Sequence, residues 1–89
     1  MPEPTDALLT ERGKTHGDYS DHAYITQLLK SDMMSIPTYQ SLSVVQKETL
    51  EMIAHKIGRI LAGNPNHHDH WDDIAGYARL VSMRLPAPK

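Results

Sequence analysis

Four charged side chains in the second half of the chain have the types and the spacing that a phosphate or metal site requires. Lys56 and Arg59 are three residues apart, and Asp69 and Asp73 are four residues apart, so on a helix each pair shares one face. Cationic side chains bind phosphate oxygens, and carboxylates bind Mg²⁺. The same groups have a purely structural explanation, in which cations at the end of one helix pair with carboxylates at the start of the next. Both explanations stay open.

A second polar cluster lies near the N-terminus. Arg12 is followed by two glycines, Gly13 and Gly17, and then by Asp18. Glycines permit a tight turn, and exposed backbone amides in such a turn can join Arg12 in holding a phosphate. In the alternative, the glycines only allow the chain to turn between two helices, and Asp18 caps the second helix.

Aromatic and histidine side chains add weaker candidates. Tyr24 and Tyr77 have rings that can stack on a nucleobase, although tyrosines on helix flanks are more often the edge of a core. Three histidines, His67, His68 and His70, surround Asp69. They are either polar residues at the start of a helix or ligands for Zn²⁺ or Ni²⁺.

The elements that position these groups are predicted to be α-helices throughout. The sequence contains no Phe and no Asn-Gly or Asp-Gly pair that would mark a β-hairpin. With 89 residues, the chain has room for one domain over 1–89. We expect a small all-α bundle of three main helices plus a short N-terminal helix, with frayed ends at 1–4 and 86–89 and an irregular connection over 31–42. The predicted helices span about 6–12, 20–34, 44–62 and 68–84.

The last two predicted helices have the clearest signals. Ser43 and Gln46 have capping-box spacing at the start of the third helix. Gly63 suits a left-handed C-cap, and the short connection that follows predicts an antiparallel hairpin of the third and fourth helices. The first helix is expected to stop at Gly13. In the fourth helix, Gly76 is expected at a close-packing position, and the predicted core stripe comprises Trp71, Ile74, Ala75, Ala78, Val81 and Leu85.

Composition excludes several classes of protein and favours others. The sequence has no cysteine, which is typical of a reducing compartment and excludes disulfides. Nine basic against eleven acidic residues disfavour direct DNA binding. No apolar run approaches the roughly 18 residues of a membrane span, so we expect a cytoplasmic protein. A domain this small is marginally stable alone, which favours a homodimer or another homo-oligomer.

Three segments together resemble a known family. The sequence reads RGKTHGD over 12–18, KIGR over 56–59 and DHWDDIAGYA over 69–78. This is similar to short phage and prophage proteins of a domain-of-unknown-function family with an R…YGD loop and a KxxR…DxWxDIAGYA motif, although His16 stands where Tyr is usual. That family is similar to the nucleotide-modification-associated α-helical domains of phage genomes. The resemblance implies a nucleotide ligand, and it selects Arg12, Gly17, Asp18, Lys56, Arg59, Asp69, Asp73 and Tyr77.

Carboxylate spacing carries a more distant resemblance. Glu48 and Glu51 form an ExxE motif, and Asp69 and Asp72 form a related motif after 17 intervening residues. This resembles the ExxE…ExxD pattern of MazG-type all-α nucleoside triphosphate pyrophosphohydrolases, in which paired helices hold Mg²⁺ and water attacks to release pyrophosphate. The resemblance implies Mg²⁺ or Mn²⁺ as the cofactor. Taken with the phage-family motif, the candidate metal ligands are Glu48, Glu51, Asp69 and Asp73.

The sequence therefore predicts a protein that binds nucleoside triphosphates or hydrolyses them with a divalent metal. The predicted phosphate and nucleotide contacts are Arg12, Gly17, Asp18, Lys56, Arg59 and Tyr77, and no catalytic residue is assigned. The alternative is a non-catalytic protein-interaction module, in which the Lys/Arg and Asp side chains only fasten two helices together.

Overall fold

The computed structural model describes residues 4–86, with the backbone alone for 4–7 and Arg12. Every regular element in this range is an α-helix, which confirms the predicted fold class. The expected fraying at 1–3 and 87–89 lies outside the described residues. None of the described helices combines the length and apolar character that crossing a bilayer requires. The elements are α1 (Pro4–His16), α2 (Tyr19–Met34), α3 (Pro37–Gln40), α4 (Val44–Ala62) and α5 (His68–Ser82).

Helix α4 is the central element, because both α2 and α5 pack against it. Its start confirms the predicted capping box. The backbone N–H of Gln46 donates to Ser43 Oγ at 3.1 Å, and the backbone N–H of Ser43 donates to Gln46 Oε1 at 2.9 Å. At its end, the Gly63 amide donates to the Arg59 carbonyl. The expected left-handed conformation at Gly63 is wrong, since its φ is −121°.

Helix α1 is longer than predicted. It passes through Gly13 and ends at His16, so the expected stop at Gly13 and the polar loop after it are wrong. The left-handed conformation that ends the helix belongs to Gly17, whose φ is 81° and whose amide donates to the Gly13 carbonyl. A helix-interior glycine is unfavourable by only about 1 kcal/mol relative to Ala, which the extra turn of the helix overcomes.

The irregular connection expected over 31–42 is more regular than the sequence indicates. Residues 31–34 continue α2, and residues 37–40 form the short helix α3. Pro37 occupies the first position of α3, where the missing amide hydrogen has no effect on the helix. Tyr39 in α3 is one of the few buried apolar side chains.

Two glycines allow α1 to dock on the end of α4. A Cβ atom built on Gly17 would lie 2.1 Å from the Ala62 carbonyl oxygen, and one built on Gly63 would lie 2.5 Å from the Gly17 nitrogen. The backbone N–H of Asn64 also donates to the Thr15 carbonyl at 3.0 Å. The contact between these segments therefore depends on two positions that lack side chains.

The core is small and unusually polar. The buried hydrophobic side chains are Tyr39, Ala54 and Ile60, and the buried polar ones are His22, Thr26, Thr49, Lys56 and His70. A packed interior of this kind requires hydrogen-bond or ionic partners for its polar groups.

Helix α5 packs through a face adjacent to the predicted one. His70 is buried, and Ile74, Tyr77 and Val81 are half-buried. Trp71, expected in the core, is 53% exposed, and its indole N–H donates to the Pro65 carbonyl. The other exposed members of the predicted stripe are Ala75, Ala78 and Leu85. The prediction was wrong because it followed the spacing of apolar residues, whereas the residue that is buried on α5 is the polar His70.

The close-packing glycine is Gly58 in α4, not the predicted Gly76 in α5. A Cβ on Gly76 would meet nothing within 4 Å, so Gly76 is not a packing position. A Cβ on Gly58 would lie 2.5 Å from His22 Cδ2 and 2.6 Å from Thr26 Oγ1. Gly58 is therefore the glycine that permits close approach, here between α4 and α2.

Candidate functional site

A cleft of about 510 Å³ lies where the end of α1, the start of α2 and the last turns of α4 meet. Its position follows from the docking of α1 on α4 through the two glycine contacts. Three of its residues belong to the predicted phosphate site. The cleft is lined by Leu9, Gly13, His16, Gly17, Asp18, Tyr19, His22 and Arg59.

Arg59 supplies the positive charge of the cleft. Its side chain is half-buried. Among the side chains that the structure places, no carboxylate lies within 4 Å of its guanidinium group. Burial is the main cause of the lowered pKa values of four histidines, and the charge of Arg59 adds to it in His16, His22, His55 and His70. The cleft therefore contains a partly desolvated cation that has no close counter-ion in the described part of the chain.

Histidine rings form a cluster beside Arg59. The centroids of His16 and His70 are 5.2 Å apart, and those of His67 and His70 are 4.7 Å apart. Burial, followed by the charge of Arg59, lowers the pKa of His16 to about 4. Burial is also the main reason why the pKa values of His22 and His70 fall below 6.5. At neutral pH these rings are uncharged and can donate or accept hydrogen bonds.

Two buried polar atoms lie next to the cleft. His22 Nε2 and Thr26 Oγ1 are inaccessible to solvent, and neither has a hydrogen-bond partner among the described residues. Gly58 allows both side chains to approach α4. Sequence reasoning missed this group, although a glycine inside the KIGR segment of a long helix was a signal of close packing.

Lys56 and Asp73, both selected from the sequence, contact each other. The Lys56 ammonium lies 2.7 Å from Asp73 Oδ2, with Lys56 almost fully buried and Asp73 about half exposed. The hydrogen bond from Lys56 lowers the pKa of Asp73. The charges of these two residues are therefore engaged in joining α4 to α5, as in the structural explanation of the motif.

The four candidate metal ligands are distributed over different parts of the fold. Glu51 lies 3.8 Å from Lys30, and Asp69 lies 3.8 Å from His67. Glu48 lines a separate hollow near the start of α4, and Asp73 contacts Lys56. Within the described ranges, no group of three or more His, Cys, Asp or Glu side chains is arranged to hold a metal ion.

The remaining predicted contacts have mixed positions. Gly17 and Asp18 line the cleft. Asp18 begins α2, but its side chain accepts a hydrogen bond from Ser20 and does not cap the helix. Tyr77 is half-buried on the packed face of α5. The side chain of Arg12 lies outside the described part of the structure.

Residues 1–84 match the family described as Domain of unknown function (DUF6378). The chain belongs to this family. No match was found to a curated protein or to a solved structure. The DUF6378 match spans all five helices, so the cleft and the contact between Lys56 and Asp73 lie within the family's domain.

The cleft of this DUF6378 domain contains charged, hydrogen-bonding and aromatic side chains. Among the described side chains that line it, the cleft combines the cation Arg59 with the uncharged imidazole of His16. Tyr19 adds an aromatic ring that is 79% exposed. A guanidinium group binds phosphate or carboxylate in a bidentate manner, and an exposed ring offers a flat apolar face.

Proposed function

We propose that this DUF6378 domain binds a nucleotide in the cleft, with Arg59 as the contact to phosphate. The observation that carries this proposal is that Arg59, a half-buried residue, lines the cleft and has no carboxylate within ion-pairing distance among the described residues. A cation that is partly removed from water and lacks a counter-ion is unfavourable unless an anion offsets it.

The contrast with Lys56 supports this assignment. Lys56 lies one helical turn before Arg59 and is more deeply buried, yet it has Asp73 as its counter-ion. Removing Lys56 from the list of predicted phosphate contacts leaves Arg59 as the described cation that faces the cleft. Charge-assisted hydrogen bonds from arginine to phosphate are among the stronger polar contacts in proteins.

The rest of the cleft suits the nucleoside part of such a ligand. Its volume of about 510 Å³ lies within the usual range of small-molecule sites. Tyr19 offers a ring on which a base can stack, a contact worth about 1–3 kcal/mol in nucleic-acid complexes. The neutral ring of His16 can hydrogen-bond to sugar or base.

Hydrolysis of a nucleoside triphosphate with Mg²⁺ or Mn²⁺ is a further step in this proposal. It rests on the resemblance of the carboxylate motifs, and it requires Asp73 to exchange Lys56 for the metal. Asp69, four residues earlier on α5, is the companion ligand that the motif selects. Release of pyrophosphate in the presence of metal, and its loss in Asp69→Asn, would support this step.

The contact between Lys56 and Asp73 favours the second candidate, a non-catalytic interaction module. There the pair only fastens α4 to α5, and the contact is the kind that an antiparallel hairpin of these helices would give. Such a module has no need of a nucleotide.

A thermal-shift screen separates the two candidates. Purified protein is tested against the common nucleoside and deoxynucleoside triphosphates, with and without Mg²⁺ or Mn²⁺. A ligand at 100 times its dissociation constant stabilises a fold by about 2.7 kcal/mol, a rise of many degrees for a small domain. A shift with one nucleotide supports the binding site, whereas no shift with any of them favours the interaction module.

A further inference from the structure

An apolar groove lies at the opposite end of α4 from the cleft. It has a volume of about 340 Å³ and runs between the first half of α4 and the second half of α5. Leu42, Leu50 and Ile53 line one side, and Ala78 and Val81 line the other. No charged side chain lines it. A groove of this composition suits an apolar occupant.

The apolar surface continues beyond the groove. Val44 is 83% exposed, Leu80 is 46% exposed and Val45 is 43% exposed. These three residues border an adjoining hollow of about 300 Å³. We call the groove together with these three residues the apolar end surface. Contiguous apolar patches on small proteins usually mark an interaction site.

The chain is more extended, and exposes more surface, than a compact chain of its length. The radius of gyration is 15.7 Å, whereas a compact chain of this length is expected near ~12 Å. The exposed area is 6687 Å², whereas a compact monomer of 10.0 kDa exposes about 5,200 Å². The difference of about 1,500 Å² exceeds the ~800 Å² that each partner buries in a standard interface.

We propose that the apolar end surface is the interface of a homodimer, with a second copy of this chain as its occupant. A twofold interface brings the same patch together from both copies, so the patch must be complementary to itself. The rim of this surface has the required mixture of charges, because Glu48 and Arg84 border the same hollow as Val44 and Leu80. A copy rotated about a twofold axis can place its Arg84 opposite Glu48 while the apolar residues meet at the centre.

The interface and the nucleotide cleft are separate. Val44 and Arg59 are fifteen positions apart in α4, which corresponds to ~22 Å along the helix axis. The dimer therefore does not depend on the proposed function, and substitutions in one site leave the other intact.

Sedimentation equilibrium of the full chain over a wide range of protein concentration tests the proposal. The wild-type protein is expected at twice the chain mass of 10.0 kDa. Leu80→Glu places a charge in the interface and is expected to give the mass of one chain. Leu28→Glu is the matched control, because Leu28 is 49% exposed but lies on α2. It is expected to remain dimeric.

A second variant guards against misfolding of Leu80→Glu. Val44→Glu places the same charge at the first position of α4, where an acidic residue is compatible with the helix. Helix content is measured by circular dichroism for all variants. The proposal is overturned if the wild type sediments as a single chain at every concentration, if both folded interface variants remain dimeric, or if Leu28→Glu dissociates the dimer as they do.

Discussion

The ammonium of Lys56 on α4 lies 2.7 Å from a carboxylate oxygen of Asp73 on α5. This contact pairs one of two neighbouring cations in α4 with a carboxylate. Lys56 is 8% exposed, so its charge needs a partner inside the protein. Asp73 provides that partner and joins the two helices. Arg59, one turn further along α4, has no such carboxylate within reach among the placed side chains and faces the cleft.

The two ends of this ion pair are predicted to differ in their response to substitution. Asp73→Asn leaves a buried ammonium without a counter-charge, so it should lower the free energy of unfolding more than Lys56→Met does. Lys56→Met removes the buried charge and retains the length of the side chain, and the carboxylate that it leaves behind, Asp73, is about half exposed and is solvated by water. Urea unfolding of both variants measures the difference. Equal losses, or a larger loss in Lys56→Met, would contradict the account.

Gly17 and Gly13 are predicted to respond oppositely to alanine. Gly17 has a φ of 81°, and a Cβ there would lie 2.1 Å from the Ala62 carbonyl oxygen. Gly17→Ala should therefore destabilise the fold by about 2 kcal/mol or more. Gly13 lies inside α1 with nothing within 4 Å of a Cβ, so Gly13→Ala should stabilise by up to about 1 kcal/mol. Thermal unfolding of both variants measures the direction of each change in stability. Stabilisation of both variants would refute the docking of α1 on α4.

A second pair of glycines tests the packing of α2 on α4. Gly58→Ala inserts a methyl group where His22 and Thr26 approach within 2.6 Å, and we expect a loss of about 1–3 kcal/mol. Gly76→Ala in α5 meets no atom within 4 Å and should stabilise by about 0.5–1 kcal/mol. Guanidinium unfolding of both variants provides the comparison. A stable Gly58→Ala protein would show that α2 does not pack as closely as described.

The free energy of unfolding is predicted to fall as the pH drops from about 6.5 to about 4, between the ordinary and the lowered pKa of His16. The pKa of His16 is lowered to about 4 from an ordinary value of 6.5. Between these values the unfolded chain binds a proton that the folded chain does not, so stability is full above pH 6.5 and is lost as the pH falls towards 4. Burial lowers the pKa values of His22, His55 and His70 in the same direction.

Melting temperatures at intervals from pH 7 to pH 4 measure this loss, which we expect to be on the order of 10 °C. The lowered pKa of Asp73 acts below its ordinary value of 3.8, outside this window. His16→Gln removes one titrating group and should flatten the dependence. A melting temperature that stays constant down to pH 4 would show that these rings are not buried as described.

Local features of the fold were predictable from the sequence, and features that depend on distant contacts were not. The capping box of Ser43 and Gln46 involves residues three positions apart, so spacing alone identified it. The choice between Gly13 and Gly17 as the end of α1 depends on contact with Ala62 and Gly63, which the local sequence does not contain.

The candidate site shows the same division. Arg59 was found from its motif, but its neighbours His16 and His22 were not assigned to the site. These histidines lie about forty positions away in the sequence, and they come close to Arg59 only because α1 and α2 pack on α4. The burial of His70 in place of Trp71 was missed for the same reason. Apolar residues indicate which helix face is covered only when the core that covers them is apolar.

The central claim is that Arg59 binds the phosphate of a nucleotide, and isothermal titration calorimetry of two arginine variants tests it most directly. Arg59→Gln and Arg79→Gln remove the same charge, but Arg79 is exposed on α5 and does not line the cleft. With the nucleoside triphosphate that stabilises the wild type most as the titrant, Arg59→Gln should weaken binding by about 10–100-fold, the loss expected for a charge-assisted contact. Arg79→Gln should bind as the wild type does. Equal affinity in the wild type and in a folded Arg59→Gln protein would contradict the claim.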